Sequence, residues 1–465
     1  RLEADSNNSG QEDCFVRFYT DNKTQEGMVG MDNNNSSTLF SGNTENAMVF
    51  GTVSNLPTLF ATNNTQRMII GADGDVHIGD SGSYTGMFTV NDTTASSNKI
   101  IAHFQGQGNG ADTNTGGIGV SHNGNLTNAI TLRKKLVEEG AIFYTTSDTE
   151  TIVQLIAKSK REKIVDKLID ALFQIKGGYA LVIMTNKKLI GARDPFGIRP
   201  LIIGKLKESF ILASETCALD IVGASFVREV ENGEIVVVED NKISSIKPFP
   251  KQKARPCIFE YIYFARPDSI LDGECAYEYR KRLGEELAKE SRVDADIVVP
   301  VPDSGVPAAI GFSQSSKIKF ELGLIRNHYV GRTFIEPSQH IRSLGVKLKL
   351  SSTKSILKNK SVVLIDDSLV RGTTCSKIIK MLYKAGAKEV HVRIACPEIK
   401  YPDFYGVDMP TKKELLSSNK NKNEICEFLE ATSINFLSVN GLYRALLKQK
   451  RNDSYPQFSD HYFTG

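Results

Sequence analysis

VVLIDDSLVRGTT, Val362 to Thr374, is the stretch whose reading decides the fold. Its first four residues are apolar and three of them are β-branched, the habit of a strand covered on both faces. The strand ends in Asp366 and Asp367 and opens into a Ser/Gly/Thr loop. The pattern predicts a helix from Cys375 to Ala385, with Gly386 as its stop. Such a loop wraps a phosphate with backbone N–H groups, and the helix start behind it adds partial positive charge. Carboxylates at the C-terminal end of a parallel strand point into the crevice where open α/β sheets bind ligands. Asp366 and Asp367 can then hold two sugar hydroxyls while Ser368, Arg371, Gly372, Thr373 and Thr374 hold a sugar phosphate. The competing reading of an Asp-Asp-plus-Gly turn is a plain strand–turn–helix with solvated carboxylates.

Upstream, Asp296–Val301 is a second apolar strand, ending in VPDSGVP. Two prolines and a glycine fix a tight turn there, with Asp303, Ser304 and Gly305 at its tip. Alone this loop reads equally well as a structural turn. Between the two lies NHYVGRTFIEPSQHIRSLGVKLKL, residues 327–350, long, basic and poorly periodic. Long loops in compact domains are commonly lids or disordered, and this one carries Arg332, Arg342, Lys347 and Lys349. Around these pieces, helix and strand patterns alternate: helices Tyr277–Ala288 and Val306–Gln314, strand Glu389–Cys396, helices near Glu424–Ala431 and Gly441–Lys448. This order predicts an α/β fold with a doubly wound, mostly parallel sheet.

The 465 residues suffice for two or three domains. No apolar run approaches the roughly 18 residues of a membrane span, so no membrane is expected. Seven scattered cysteines without a C-x-x-C pair fit a reducing compartment, and a cytoplasmic protein is expected. The net charge of +3 hides an asymmetry. Residues 1–100 carry 5 basic and 12 acidic side chains, against 52 and 42 in the remainder. A modestly basic body suits anionic substrates, while zinc-finger spacing and RNP strings are absent and no nucleic-acid partner is expected.

Residues 1–112 are rich in Asn, Thr, Gly and Ser, with short alternating pieces at Ala47–Val53, Gln66–Ile70, Val76–Ile78 and Met87–Val90. They predict a β-rich or irregular segment. Residues 113–250 mix helices (Thr149–Lys158, Ile164–Phe173) with strands (Ala180–Met184, Leu201–Ile203, Phe210–Ala213, Glu234–Glu239). In SHNGNL, Gly124-Asn125 predicts a turn leading to an amphipathic helix with Leu126, Ile130 and Leu136 on its apolar face. Residues 251–465 form the third segment.

The signature string closely resembles that of phosphoribosyltransferases. YVGRTFI with its basic tail, CIFEYIYFARPDS, RDPFGIRPL, SET, TTSDTE and SHNGNL extend the likeness to the amidophosphoribosyltransferase family, over about residues 116–465. The resemblance implies a type I phosphoribosyltransferase domain behind an N-terminal-nucleophile α/β/β/α glutaminase. The implied reaction makes 5-phosphoribosylamine and pyrophosphate from phosphoribosyl pyrophosphate and glutamine-derived ammonia, the first step of purine synthesis. It implies Mg²⁺ at Ser304, Asp366 and Asp367, a diphosphate grip at Asp303, Ser304 and Gly305, and catalytic Arg332 and Lys349 in a lid. It further implies an oxyanion hole at Asn123 and Gly124, a glutamine amino contact at Asp148, inhibition by purine nucleotides and a homo-oligomer.

The likeness stops abruptly upstream. The family's N-terminal cysteine and its HRGQ and RYST strings are missing, the chain begins with Arg1, and Cys14 matches no nucleophile context. NTQRMIIGADGDVHIGDSG instead resembles repeats of phage tail fibres. These departures predict a join between about residues 110 and 122, a truncated and inactive glutaminase, and turnover with ammonia alone. Some relatives carry an iron–sulfur cluster on C-terminal cysteines. Asp403 and a cysteine-free SYPQFSDHYFTG stand here, so none is expected. A nucleobase phosphoribosyltransferase and a non-catalytic fibre chimera are the alternative readings.

Overall fold

The computed structural model describes residues 117–327, 350–407 and 411–465 and, before these, the backbone of seven strands between Leu2 and Ile78. The chain forms two compact units, one of Arg1–Thr89 with Ala102–Gly119, the other of Val90–Ile101 with Val120–Gly465. In the first, β1 (Leu2–Ala4), β2 (Cys14–Tyr19), β3 (Glu26–Asp32) and β4 (Ala47–Thr52) make one antiparallel sheet. β5 (Thr58–Thr62), β6 (Thr65–Ile70) and β7 (Val76–Ile78) make another. The strand expected at Met87–Val90 lies outside the described residues.

The second unit opens with a five-stranded sheet. Its strands are β8 (Gly119–Leu126), β9 (Gly177–Met184), β10 (Leu189–Arg193), β14 (Ile235–Glu239) and β15 (Lys242–Ile246), in spatial order 15-14-10-9-8. A three-stranded sheet of β11 (Ile202–Leu206), β12 (Ser209–Ala213) and β13 (Ser225–Glu229) faces it. Ala180, Ile203 and Val236, contributed by both sheets, share one core cluster with Leu201 and Val230. The inward side chains of two packed sheets exclude water in this way.

The turn expected at Gly124-Asn125 is absent: β8 runs straight through both residues, and the chain turns at Thr127-Asn128 instead. Gly124 takes φ +138, and a Cβ there would stand 2.0 Å from the Gly178 carbonyl oxygen. The glycine answers a close strand-to-strand approach rather than a reversal. Leu126 consequently belongs to the strand, and the helix Ala129–Glu138 buries Leu136 but leaves Ile130 exposed.

After a hairpin of β16 (Ile270–Leu271) and β17 (Glu274–Cys275) comes the parallel sheet. Its strands are β18 (Ile297–Pro300), β19 (Lys319–Phe320), β22 (Ser361–Asp366), β23 (Glu389–Ile394) and β24 (Ser433–Phe436), in order 19-18-22-23-24 and all parallel. Val362, Val363, Leu364 and Ile365 are wholly buried, as a strand covered on both faces requires. β20 (Leu324–Arg326) and β21 (Leu350–Ser352) pair as a separate antiparallel ribbon. The helices Ala276–Glu290 and Val306–Ser316 cross closely because Gly284 and Gly311 lack side chains. A Cβ at Gly284 would stand 1.8 Å from the Ala308 oxygen, and one at Gly311 1.9 Å from that of Lys281. This packing fixes the helix that follows VPDSG.

Candidate active site

Adjacent strands deliver both loops to one edge. Pro300 of β18 pairs with Ile365 of β22, and the Val301 N–H donates to the Ile365 oxygen at 2.8 Å just before the chains diverge. Asp303, Ser304 and Gly305 leave the first strand; Asp366 to Gly372 leave the second. The peptide joining Pro302 to Asp303 is cis. A Cβ on Gly305 would lie 2.6 Å from the Ile365 oxygen and 2.9 Å from that of Val301, so only glycine lets the two loops meet. Gly305→Ala is therefore expected to displace the first loop and to cut the phosphoribosyl transfer that the sequence resemblance implies by about 100-fold or more, read as kcat/KM.

Asp366 and Asp367 are held side by side. The Asp367 N–H donates to Asp366 Oδ1 at 3.0 Å, and Ser368 Oγ donates to Asp367 Oδ1 at 2.6 Å. Burial, then the charge of Asp367, pushes the Asp366 carboxyl well above the usual carboxylate range. A cation or a pair of hydroxyls between them would relieve that repulsion. Gly372, at φ +76, caps the helix Thr373–Lys384 and leaves Thr373 and Thr374 exposed in its first turn. Arg371 is exposed and pairs with Glu414 at 3.2 Å. Arg332, Arg342, Lys347 and Lys349 lie outside the described residues.

At the second predicted cluster, Asp148 meets the strand that carries Asn123 and Gly124 through Leu126 and His122. The Leu126 N–H donates to Asp148 Oδ2 at 2.9 Å, and His122 Nδ1 lies 3.7 Å from Asp148 Oδ1 and 3.1 Å from Thr149 Oγ1. Burial opposes ionisation of Asp148, but His122 and the Leu126 N–H hold its carboxyl below the usual range. Among the described residues, the buried Asn123 Oδ1 and His122 Nε2 find no hydrogen-bond partner. The loop after β23 reaches this cluster: Asn125 Nδ2 donates to the Phe404 oxygen at 2.9 Å, and a Cβ on Gly406 would sit 2.6 Å from the Gly124 carbonyl carbon.

Sequence reasoning missed the buried charges that join these parts. Arg199 Nη1 donates to Glu260 Oε1 at 3.0 Å and its Nε to the Tyr405 oxygen at 3.3 Å. Arg280 donates to the backbone oxygens of Tyr261 and Ala265 at 3.0 and 2.6 Å. No short-range pattern marks pairs that lie from 15 to 206 residues apart.

Cys257 shares a 3.1 Å hydrogen bond with Tyr462, and burial pushes its thiol up to about 11. Asp403 accepts from the N–H groups of Tyr405 and Val407 and lies 2.9 Å from His461 Nε2. One protonated thiol and a committed carboxylate do not fit an iron–sulfur cluster. Among the described residues no group of three His, Cys, Asp or Glu side chains is arranged to hold a metal by itself.

A parallel sheet with an Asp-Asp loop and a neighbouring glycine turn at its strand ends is the arrangement that the sequence resemblance implies for a phosphoribosyltransferase. The phosphoribosyl transferase domain family matches residues 276–413, and the glutamine amidotransferase domain family matches 98–220. Amidophosphoribosyltransferase of Rhizobium etli is 54% identical over 361 residues, covering 76% of this chain and 73% of that protein. The Bacillus subtilis enzyme is 47% identical, covering 73% and 71%. A solved structure of glutamine phosphoribosylpyrophosphate amidotransferase from B. subtilis, complexed with ADP and GMP, superposes with a TM-score of 0.73 at 41% identity, covering 85% and 84%. The chain belongs to the amidophosphoribosyltransferase family, the transferases that open purine synthesis.

Proposed function

We propose that this chain forms 5-phosphoribosylamine and pyrophosphate from phosphoribosyl pyrophosphate with free ammonia, and that it does not use glutamine. The observation that carries the transferase reading is the meeting of the two loops at neighbouring strand ends. Asp366 and Asp367 orient the ribose hydroxyls, the Ser368–Thr374 loop holds the 5-phosphate, and Ser304 with Gly305 grips the diphosphate. The C1–oxygen bond to pyrophosphate lengthens with positive charge growing on the ribose, and ammonia adds at C1. Arg332 and Lys349 oppose the charge on the departing pyrophosphate.

Magnesium fits the donor set, since Asp366, Asp367 and Ser304 offer the oxygen ligands and open positions it favours. Its contribution would be to neutralise diphosphate charge. The purine nucleotides bound to the B. subtilis relative are proposed ligands here too, and a homo-oligomer is the proposed assembly. Among the described residues no helix is long and apolar enough to cross a membrane.

Loss of the glutaminase rests on its nucleophile. Residues 113–216 contain no cysteine, and burial raises the Cys217 thiol, which disfavours the thiolate. We read Asn123, Gly124 and Asp148 as an amide-binding remnant to which residues 113–216 supply no attacking thiol. Parallel assays with ammonium chloride and glutamine are expected to give product with ammonium only. Equal turnover with glutamine would end this reading, and transfer to adenine or hypoxanthine would point to a nucleobase enzyme.

A further inference from the structure

Arg326 ends β20 one residue before the basic stretch and donates through Nη1 to Asp303 Oδ2 in the VPDSG loop. The ribbon with β21 places it, because Arg326 pairs with Leu350 and Leu324 is buried beneath. Both side chains remain substantially exposed, at 44% and 57%. An exposed pair of this kind contributes only about 0–1 kcal/mol to stability, so stability does not account for it. Its position raises an electrostatic question. Asp303 puts a carboxylate beside Ser304, at the rim of a site read above as gripping a diphosphate. A bare carboxylate there would repel that ligand.

We propose that Arg326 is a diphosphate-recognition residue: it neutralises Asp303 in the free protein and transfers to a diphosphate oxygen when substrate binds. This rests on the transferase reading above. A guanidinium fork binds carboxylate and phosphate with the same geometry, and the more highly charged diphosphate wins the exchange. Asp303 then acts as a place-holder that keeps the guanidinium aimed at the loop.

The test is steady-state kinetics with ammonium, Mg²⁺ and phosphoribosyl pyrophosphate, beside calorimetry with inorganic pyrophosphate and Mg²⁺. Arg326→Gln is expected to raise KM by about 10- to 100-fold, the worth of one charge-assisted contact, with kcat within about threefold and Tm unchanged. Arg326→Lys should restore part of the loss. Adding Asp303→Asn to Arg326→Gln should recover only the part of the loss caused by the uncompensated carboxylate and leave KM about fivefold or more above the parent, because the guanidinium contact is still missing. An unchanged KM in Arg326→Gln overturns the proposal, as does a double variant that regains the parent's KM, which would make the guanidinium contact dispensable. A parent that binds pyrophosphate yet makes no product sinks the transferase reading instead. In that case a Kd for pyrophosphate weakened by the same factor in Arg326→Gln still supports the role of Arg326, and an unchanged Kd removes it.

Discussion

Asp366→Asn combined with Asp367→Asn is expected to lower kcat/KM for phosphoribosyl pyrophosphate by about three orders of magnitude or more while raising the melting temperature. Each substitution keeps shape and leaves the backbone contacts in place, among them the Ala395 N–H on the Asp366 oxygen at 2.9 Å. What disappears is negative charge at the position proposed for the ribose hydroxyls and the metal. Losing one preorganised polar contact at a reacting centre commonly costs about 10²–10³ in rate, and two that act together cost more.

Stability moves the other way. The Asp366 carboxyl sits well above its ordinary value because burial and Asp367 both disfavour its charge. An acid whose folded pKa is raised contributes stability that is full below its unfolded value, about 3.9, and lost as pH rises through the folded value. As pH rises above the unfolded value the parent progressively loses that contribution, whereas the neutral amides do not. Melting curves should therefore converge at acid pH and separate towards neutrality. Activity within tenfold of the parent would remove these carboxylates from the site; equal melting at pH 7 would remove the charge conflict between them.

That opposition explains why this part of the molecule was legible in sequence. A buried run such as Val362–Ile365 ending in paired carboxylates breaks the usual preference for apolar or solvated residues, and sites are where such rules are broken. The strand, its loop and the helix behind it lie where the pattern puts them, within a residue or two. Gly124-Asn125 misled for the opposite reason. The dipeptide is a strong local turn signal, but the approach of Gly178 decides, and nothing local reports it. The strand Leu189–Arg193 escaped because Gly191 interrupts a short apolar run. A Cβ at Gly191 would meet Leu212 of the facing sheet and Val236 of the neighbouring strand at 2.9 Å, so both surroundings impose the glycine. Arg326 carried no signal beyond a basic residue at the end of a short strand, and its partner lies 23 residues away.

The Arg199–Glu260 pair was equally silent, and the second large effect is expected there. Both side chains are almost wholly buried, and Arg199 also holds the Tyr405 oxygen and lies 5.4 Å from the Phe264 ring centre. The pair ties RDPFGIRPL to the π-helical turn Glu260–Phe264 and to the loop whose Gly406 touches Gly124. Burial pushes the Glu260 carboxyl up while the Arg199 charge pulls it down. Glu260→Leu alone strands a guanidinium away from water, and breaking a buried pair in this way costs about 3–5 kcal/mol. In a unit this large each kcal/mol moves the melting temperature by about 2–4 °C, so scanning calorimetry should show a fall of roughly 6–20 °C. Adding Arg199→Met removes the stranded charge, and the double variant should recover more than half of the fall, since a packed apolar pair is often no worse than a buried ionic one. A double variant as unstable as the single would mean that Arg199 acts through the Tyr405 oxygen and the Phe264 ring rather than through its carboxylate partner. In that case Arg199→Met alone should be as damaging as Glu260→Leu, with no recovery on combining them.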